Sequence, residues 1–242
     1  MLSILRKELN GFLSSLIAYI VMPVFLVGIG LFVWIYPSTN VLDSGFADLR
    51  TFFELTPFVY LFLIPAICMR SFAEEKKTGT LELLFTKPVS TFQIIIGKLL
   101  ASWVVVFITL VPTLFYVFTI YQLGIPKGNL DLPSIFGSYI GVLLLGGVFA
   151  SIGIFSSSLA DNQIVAFIIA VFLSFTFYQG IDYLAAIDIW GSATSIILKF
   201  GISYNYSALS KGLIDSRNII YFISVITVMV LATKLSLNTR RW

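Results

Sequence analysis

Six long apolar runs divide this sequence, at roughly 12–35, 53–70, 93–121, 134–158, 163–184 and 218–237. A helix needs about 20 predominantly apolar residues to cross a hydrocarbon core about 30 Å thick. Within lipid every backbone N–H and C=O must be satisfied inside the structure, so an isolated run of this kind can only be a helix. The sequence therefore predicts an all-α integral membrane protein, one domain over residues 1–242 with six transmembrane helices. Composition agrees. Of 242 residues 58% are hydrophobic and 11% charged, whereas soluble domains carry about 25% charge. Too few charged side chains remain to cover a water-facing surface.

What is missing excludes whole classes of chemistry. There is no His, and Cys68 is the single Cys. An intramolecular disulfide is therefore impossible, and a thiolate or imidazole metal centre has no ligands to start from. The net charge of +3 reads as topology and gives no indication of nucleic acid. The N-terminal apolar run is too long for a cleaved signal peptide and is followed by no small-residue cleavage site, so it is read as a retained first helix. Ahead of it, residues 2–11 mix Leu2, Ile4, Leu5 and Leu9 with Arg6, Lys7 and Glu8. They form either an interfacial amphipathic helix or the charged start of helix 1.

Lys and Arg set orientation. With the N-terminus in the cytoplasm, Arg6, Lys7, Arg70, Lys76, Lys77, Lys87, Lys98, Lys234, Arg240 and Arg241 lie inside, ten in all, against five outside: Arg50, Lys127, Lys199, Lys211 and Arg217. Both termini are expected in the cytoplasm. Region 185–217 is neither apolar enough to span nor polar enough for plain loop. With Trp190, Tyr204 and Tyr206 it reads as interfacial or re-entrant helices on the outer side.

The loop RSFAEEKKTGTLELLFTKPVSTFQ, residues 70–93, carries the most local information. Glu74, Glu75, Lys76 and Lys77 read as helix 2 continuing into water until Gly79 stops it in the αL conformation. TLELLF then forms a short amphipathic helix closed by Pro88, and Ser90 with Gln93 makes a capping box that opens helix 3. Composition alone is satisfied by a connecting loop on lipid headgroups. Asp161 and Asn162 interrupt two apolar runs and are read as a tight turn with a helix cap. Pro112 is a kink site in the third run. The spacing Gly137-x-x-x-Gly141 permits close helix contact.

Residues 62–103, and Pro65, Phe72, Glu75, Gly79, Thr80, Glu82, Leu83, Leu84, Pro88, Gly97 and Lys98 in particular, strongly resemble permease subunits of ABC-2 type transporters. GIFSSSLADNQIVAF, Gly153 to Phe167, echoes that family's turn between helices 4 and 5. Within the family the chain is most similar to permeases associated with gliding motility. The resemblance implies a multi-pass subunit of a bacterial inner membrane that works with a separate ABC ATPase and with a second membrane subunit, either a copy of itself or a different polypeptide. ATP and Mg²⁺ would be held by the ATPase, and this chain would need no cofactor, no metal and no nucleic acid. It also implies a coupling segment of about 71–88. In that segment Glu74, Glu75, Lys76, Lys77, Glu82 and Lys87 would be rim charges, Gly79 and Thr80 the break, and Leu81, Leu84 and Phe85 the apolar anchors.

No G-x-x-x-x-G-K-[ST] occurs; Gly97-Lys98 is followed by Leu99, so the chain lacks the usual phosphate cradle and is not expected to be an ATPase. Lys98 is expected to snorkel toward the headgroups. An intramembrane enzyme would have to be built on Asp182 with Tyr178 and Gln179, without a His or a second carboxylate nearby. Ser156, Ser157 and Ser158 lack a nucleophile-elbow context. A non-transporting, force-transmitting membrane subunit is the other alternative, because polar residues such as Thr109, Thr113, Ser174 and Thr176 serve a substrate path or helix packing equally well.

Overall fold

A computed structural model describes residues 2–43, 45–86, 88–187, 190–191 and 194–239. Lys87, Arg240 and Arg241, all named above, lie outside the described residues. Among those described, thirteen α-helices and no strands occur. The first, α1 (Leu2–Leu13), is separate from α2 (Leu16–Trp34), because Ser15 is extended and both Ser14 and Ser15 turn their hydroxyls back onto α1 carbonyls. The amphipathic alternative for the N-terminus is the one adopted.

The second span is α3 (Arg50–Cys68), continued after a break at Met69 by α4 (Arg70–Lys77). Then come the stub α5 (Thr80–Phe85) and α6 (Thr91–Leu110). Pro112 cannot donate to the helix ladder, and the chain tightens to a 3₁₀ turn at Val111–Thr113 before α7 (Leu114–Leu123). After α8 (Leu132–Leu159), the fifth span is α9 (Gln163–Phe175), a π turn (Thr176–Gly180) and α10 (Ile181–Ala185). The short α11 (Thr194–Lys199) and α12 (Ile202–Leu209) precede α13 (Ser216–Thr239). Six helical stretches are long and apolar enough to span: Leu16–Trp34, Arg50–Lys77, Thr91–Leu123, Leu132–Leu159, Gln163–Ala185 and Ser216–Thr239. At six and eight residues, α11 and α12 are too short to make a seventh.

The central post is α8. Its most apolar stretch is 78% buried, against 22–28% for α2, α9–α10 and α13, which leave most of their side chains to lipid. Glycines let neighbours approach it: a Cβ on Gly146 would stand 2.7 Å from Val106 Cγ1, and one on Gly153 2.6 Å from Cys68 Cβ. Gly137 and Gly141 do admit a close neighbour, but that neighbour is the α12 turn (Gly212 and Leu209) and not another span. Tyr206 of α12 donates to the Phe53 carbonyl at 2.6 Å. Burial holds its hydroxyl well above the ordinary tyrosine range, so it remains a neutral donor.

The even number of crossings puts both ends of the chain at one end of the bundle. The Ser236 hydroxyl of α13 donates to the Ser158 carbonyl at 3.4 Å, beside α4, whereas α12 caps the opposite end. Ser90 and Gln93 form the expected capping box, and Asn162 accepts from the Ile164 N–H at 2.8 Å to open α9.

Candidate functional site

At the end of the bundle that carries α1, the helix α4 projects beyond α3 and is fastened on two sides. The break at Met69 leaves the first N–H groups of α4 without partners in their own helix. Ser157 of α8 supplies the substitute: its hydroxyl oxygen accepts from Phe72 N–H at 2.9 Å and Ala73 N–H at 3.0 Å, and donates to the Met69 carbonyl at 3.0 Å. One hydroxyl thus repairs the kink from a neighbouring helix. Farther along, the Lys76 ammonium donates to the Ser158 and Ala160 carbonyls and lies 3.7 Å from the Asp161 carboxylate. A cation on the exposed carbonyls that end α8 sits at the favourable pole of the helix dipole.

On the other side, Lys98 of α6 joins three elements. Its ammonium donates to Glu8 Oε1 of α1 at 2.9 Å, lies 3.0 Å from Glu75 Oε1 of α4, and donates to the Ser71 carbonyl at 2.7 Å. The side chain is 1% exposed, and its charge stands 5.1 Å from the centroid of the Phe72 ring. Lys7 completes the group, 3.3 Å from Glu75 and 3.7 Å from Glu8. Two ammonium groups therefore face two carboxylates, which is the balance that buried charge requires. The preceding residue makes this geometry possible. A Cβ on Gly97 would stand 2.9 Å from Ile4 Cγ2, so only glycine lets α1 lie this close to α6.

The expectation that Lys98 snorkels to the headgroups is therefore overturned. The side chain turns inward because α1 and α4 bring carboxylates to it, and reaching lipid would leave Lys7 alone against the two of them. Glu75 and Lys76, read as rim charges, also turn inward, with side chains 13% and 7% exposed. Glu74 stays partly exposed and pairs with Arg70 at 3.0 Å.

Gly79 adopts φ of +69°, the left-handed conformation expected of it, and separates α4 from α5. Thr80 lies just beyond, with its hydroxyl 2.9 Å from that of Thr78. In α5 the three residues read as apolar anchors are half-buried: Leu81, Leu84 and Phe85 pack against the main core of the bundle. Leu83, at 65% exposure, and the exposed Glu82 form the outward face instead. Sequence reasoning missed Leu83 as a surface residue, and it gave Glu8, Ser71 and Ser157 no part in fastening α4. The available signal was a lysine inside an apolar run, which demands a partner.

The enzyme alternative gains nothing from the geometry. Tyr178 is held edge-on between Phe58 and Phe149, at 6.0 and 5.9 Å, where the π turn widens the helix. Ser156 and Ser158 donate to carbonyls of their own helix. No group of His, Cys, Asp and Glu among the described residues could hold a metal. Comparison with curated proteins gives no match. Spans two to five, nearly all of the sixth, and the α4–α5 projection with its fastenings on α6 and α8 lie within residues 35–236, which match the family model described as ABC-2 family transporter protein. The chain belongs to that family, as a membrane subunit whose ATP is hydrolysed by a partner.

Proposed function

We propose that this chain is the permease subunit of an ATP-driven ABC-2 transporter in a bacterial inner membrane, one permease domain with its α1, α4 and α5 end in the cytoplasm. The observation that carries the reading is α5. It is a rigid six-residue helix set off by Gly79, backed by the bundle core through Leu81, Leu84 and Phe85, and presenting Glu82 and Leu83 to the outside. A partner ATPase, holding ATP and Mg²⁺, docks on this face, and α4 carries its motion to α8 and α6. Within the coupling set, Glu82 and Thr80 meet the partner, with Leu83 as the apolar contact and Lys87 and Glu74 as flanking charges. Glu75, Lys76, Gly79, Leu81, Leu84 and Phe85 hold α5 in place. The functional complex contains a second membrane subunit, a copy of this chain or a different polypeptide, and the resemblance of residues 62–103 to gliding-motility permeases is what supports a part in that process.

The test is co-purification of the chain with its partner ATPase. Leu83→Asp is expected to weaken association by about 30-fold, the scale of a hot-spot contact of about 2 kcal/mol, with normal membrane abundance. Full association and ATPase activity in Leu83→Asp and in Leu83→Asp/Glu82→Lys would make α5 a mere connector.

A further inference from the structure

Beside the Lys98 cluster lies a cavity of about 680 Å³ between α1, the start of α2, and α4, a volume suited to a small organic group. Its charged lining is balanced: Lys7, Arg70 and Lys98 against Glu8, Glu74 and Glu75. A net anion or a net cation would meet as much repulsion as attraction there, whereas a zwitterion meets both signs. Two acceptors in the lining have no donor. Glu75 Oε2 is closed from solvent and unpartnered, since Lys98 and Lys7 both address Oε1. Ser71 Oγ, on a residue 4% exposed, is likewise without a partner. Residues 71 and 75 are one helical turn apart on α4 and share a face. Buried acceptors of this kind are costly unless a donor reaches them.

The rim of the cavity continues into lipid. Leu16 and Ile17, the first residues of α2, line it, and Leu16, Ile20, Val24 and Val27 form an apolar stripe running down that helix, 50–74% exposed. A molecule seated here would carry a zwitterionic head with primary ammonium donors and apolar tails along α2. We propose that the cavity binds the headgroup of a phosphatidylethanolamine-type lipid, its ammonium donating to the Glu75 carboxylate and the Ser71 hydroxyl and its phosphate facing Lys7 and Arg70. Both acceptors are closed from solvent as they stand, so the Glu75 and Ser71 side chains turn toward the cavity when the ammonium enters it. The lipid would tie α1 to α4 on the side that Lys98 does not reach.

Native mass spectrometry of the delipidated full chain, titrated with phosphatidylethanolamine, phosphatidylcholine and phosphatidylglycerol of identical acyl chains, tests this. Phosphatidylethanolamine is expected to bind about tenfold more tightly than phosphatidylcholine, whose trimethylated nitrogen has no N–H to donate; that factor corresponds to one hydrogen bond to a charged group. Water-soluble glycerophosphoethanolamine separates recognition of the head from retention of the tails: competition by it places the selectivity in the headgroup, and failure to compete alongside a retained ethanolamine preference makes the tails a required part of the ligand. Ser71→Ala should weaken the preference. Gly11→Leu should abolish it by filling the cavity: Gly11 lines the cavity, and its Cβ would meet nothing within 4 Å. Neither variant touches the ion cluster, so both remain informative if Glu75→Gln fails to fold. Equal binding of phosphatidylethanolamine and phosphatidylcholine by the wild type, a preference for phosphatidylglycerol, or an unchanged preference in Gly11→Leu would overturn the proposal.

Discussion

Lys98 and Glu8 are 90 positions apart in the chain and 2.9 Å apart in the fold, with the lysine 1% exposed. Removing one member of such a pair leaves its partner charged and buried, a loss that typically costs about 3–5 kcal/mol. Lys98→Met, which keeps the apolar stem, is therefore expected to lower the apparent Tm of the detergent-solubilised chain sharply. Adding Glu8→Gln and Glu75→Gln should recover part of it, because the stranded carboxylates are then gone. Wild-type melting by Lys98→Met would mean that water already solvates the cluster.

The three consecutive serines of α8 should differ in kind. Ser157→Ala removes the acceptor for two buried N–H groups at the α3–α4 break and is expected to cost about 1–3 kcal/mol or more. Ser156 and Ser158 bond only to carbonyls of their own helix that the ladder already uses. Their Ala variants should melt within about 0.5 kcal/mol of wild type. Equal melting of all three variants would contradict the role given to Ser157.

Gly141 and Gly28 offer a paired steric test. An alanine Cβ at Gly141 would stand 2.7 Å from Leu209 Cβ, whereas at Gly28 it would meet nothing within 4 Å. Gly141→Ala is expected to destabilise by about 1–3 kcal/mol through overpacking. Gly28→Ala should be neutral or stabilising by up to about 1 kcal/mol from helix propensity. Fluorescence-detected size-exclusion melting curves distinguish the two, and the reverse order would refute the close α8–α12 approach.

Orientation can be read with single cysteines. Cys68 is fully buried against α8, with its thiol 3.6 Å from the Ala150 carbonyl, and should stay silent toward an impermeant maleimide. Thr80→Cys is expected to react only after the membrane is permeabilised, and Lys127→Cys in intact cells. Labelling of position 80 from outside would invert the topology.

Much of the architecture was legible because its causes are local. The six spans follow from hydropathy, the capping box from Ser90 and Gln93 three positions apart, and the αL break from Gly79. The 3₁₀ turn follows from Pro112. The direction of each side chain at the charged end was not legible. Glu75 and Lys76 are neighbours in a run of four charges, yet one faces α6 and the other α8, a division that depends on which spans flank α4. In TLELLF the apolar positions are too crowded to mark one face, so Leu83 could not be told from Leu84. The partners of Lys98 come from α1 and α4, and no local pattern in α6 announces them. Gly97 was visible as a family position, but its reason, the approach of Ile4, belongs to tertiary packing.

The stretch Arg50–Lys77 holds 28 residues, about 42 Å of helix at 1.5 Å per residue, against a hydrocarbon core of about 30 Å. A straight span set along the membrane normal would leave roughly 12 Å of it clear of the bilayer, the length of α4. A free post of that length could bend at Met69 and dissipate a push in its own flexing. This one is braced: Ser157 grips its foot, Lys76 ties it to the end of α8, and Lys98 ties it to α6 and α1. A push that reaches α4 would therefore be shared among α1, α6 and α8 instead of being lost in bending at Met69.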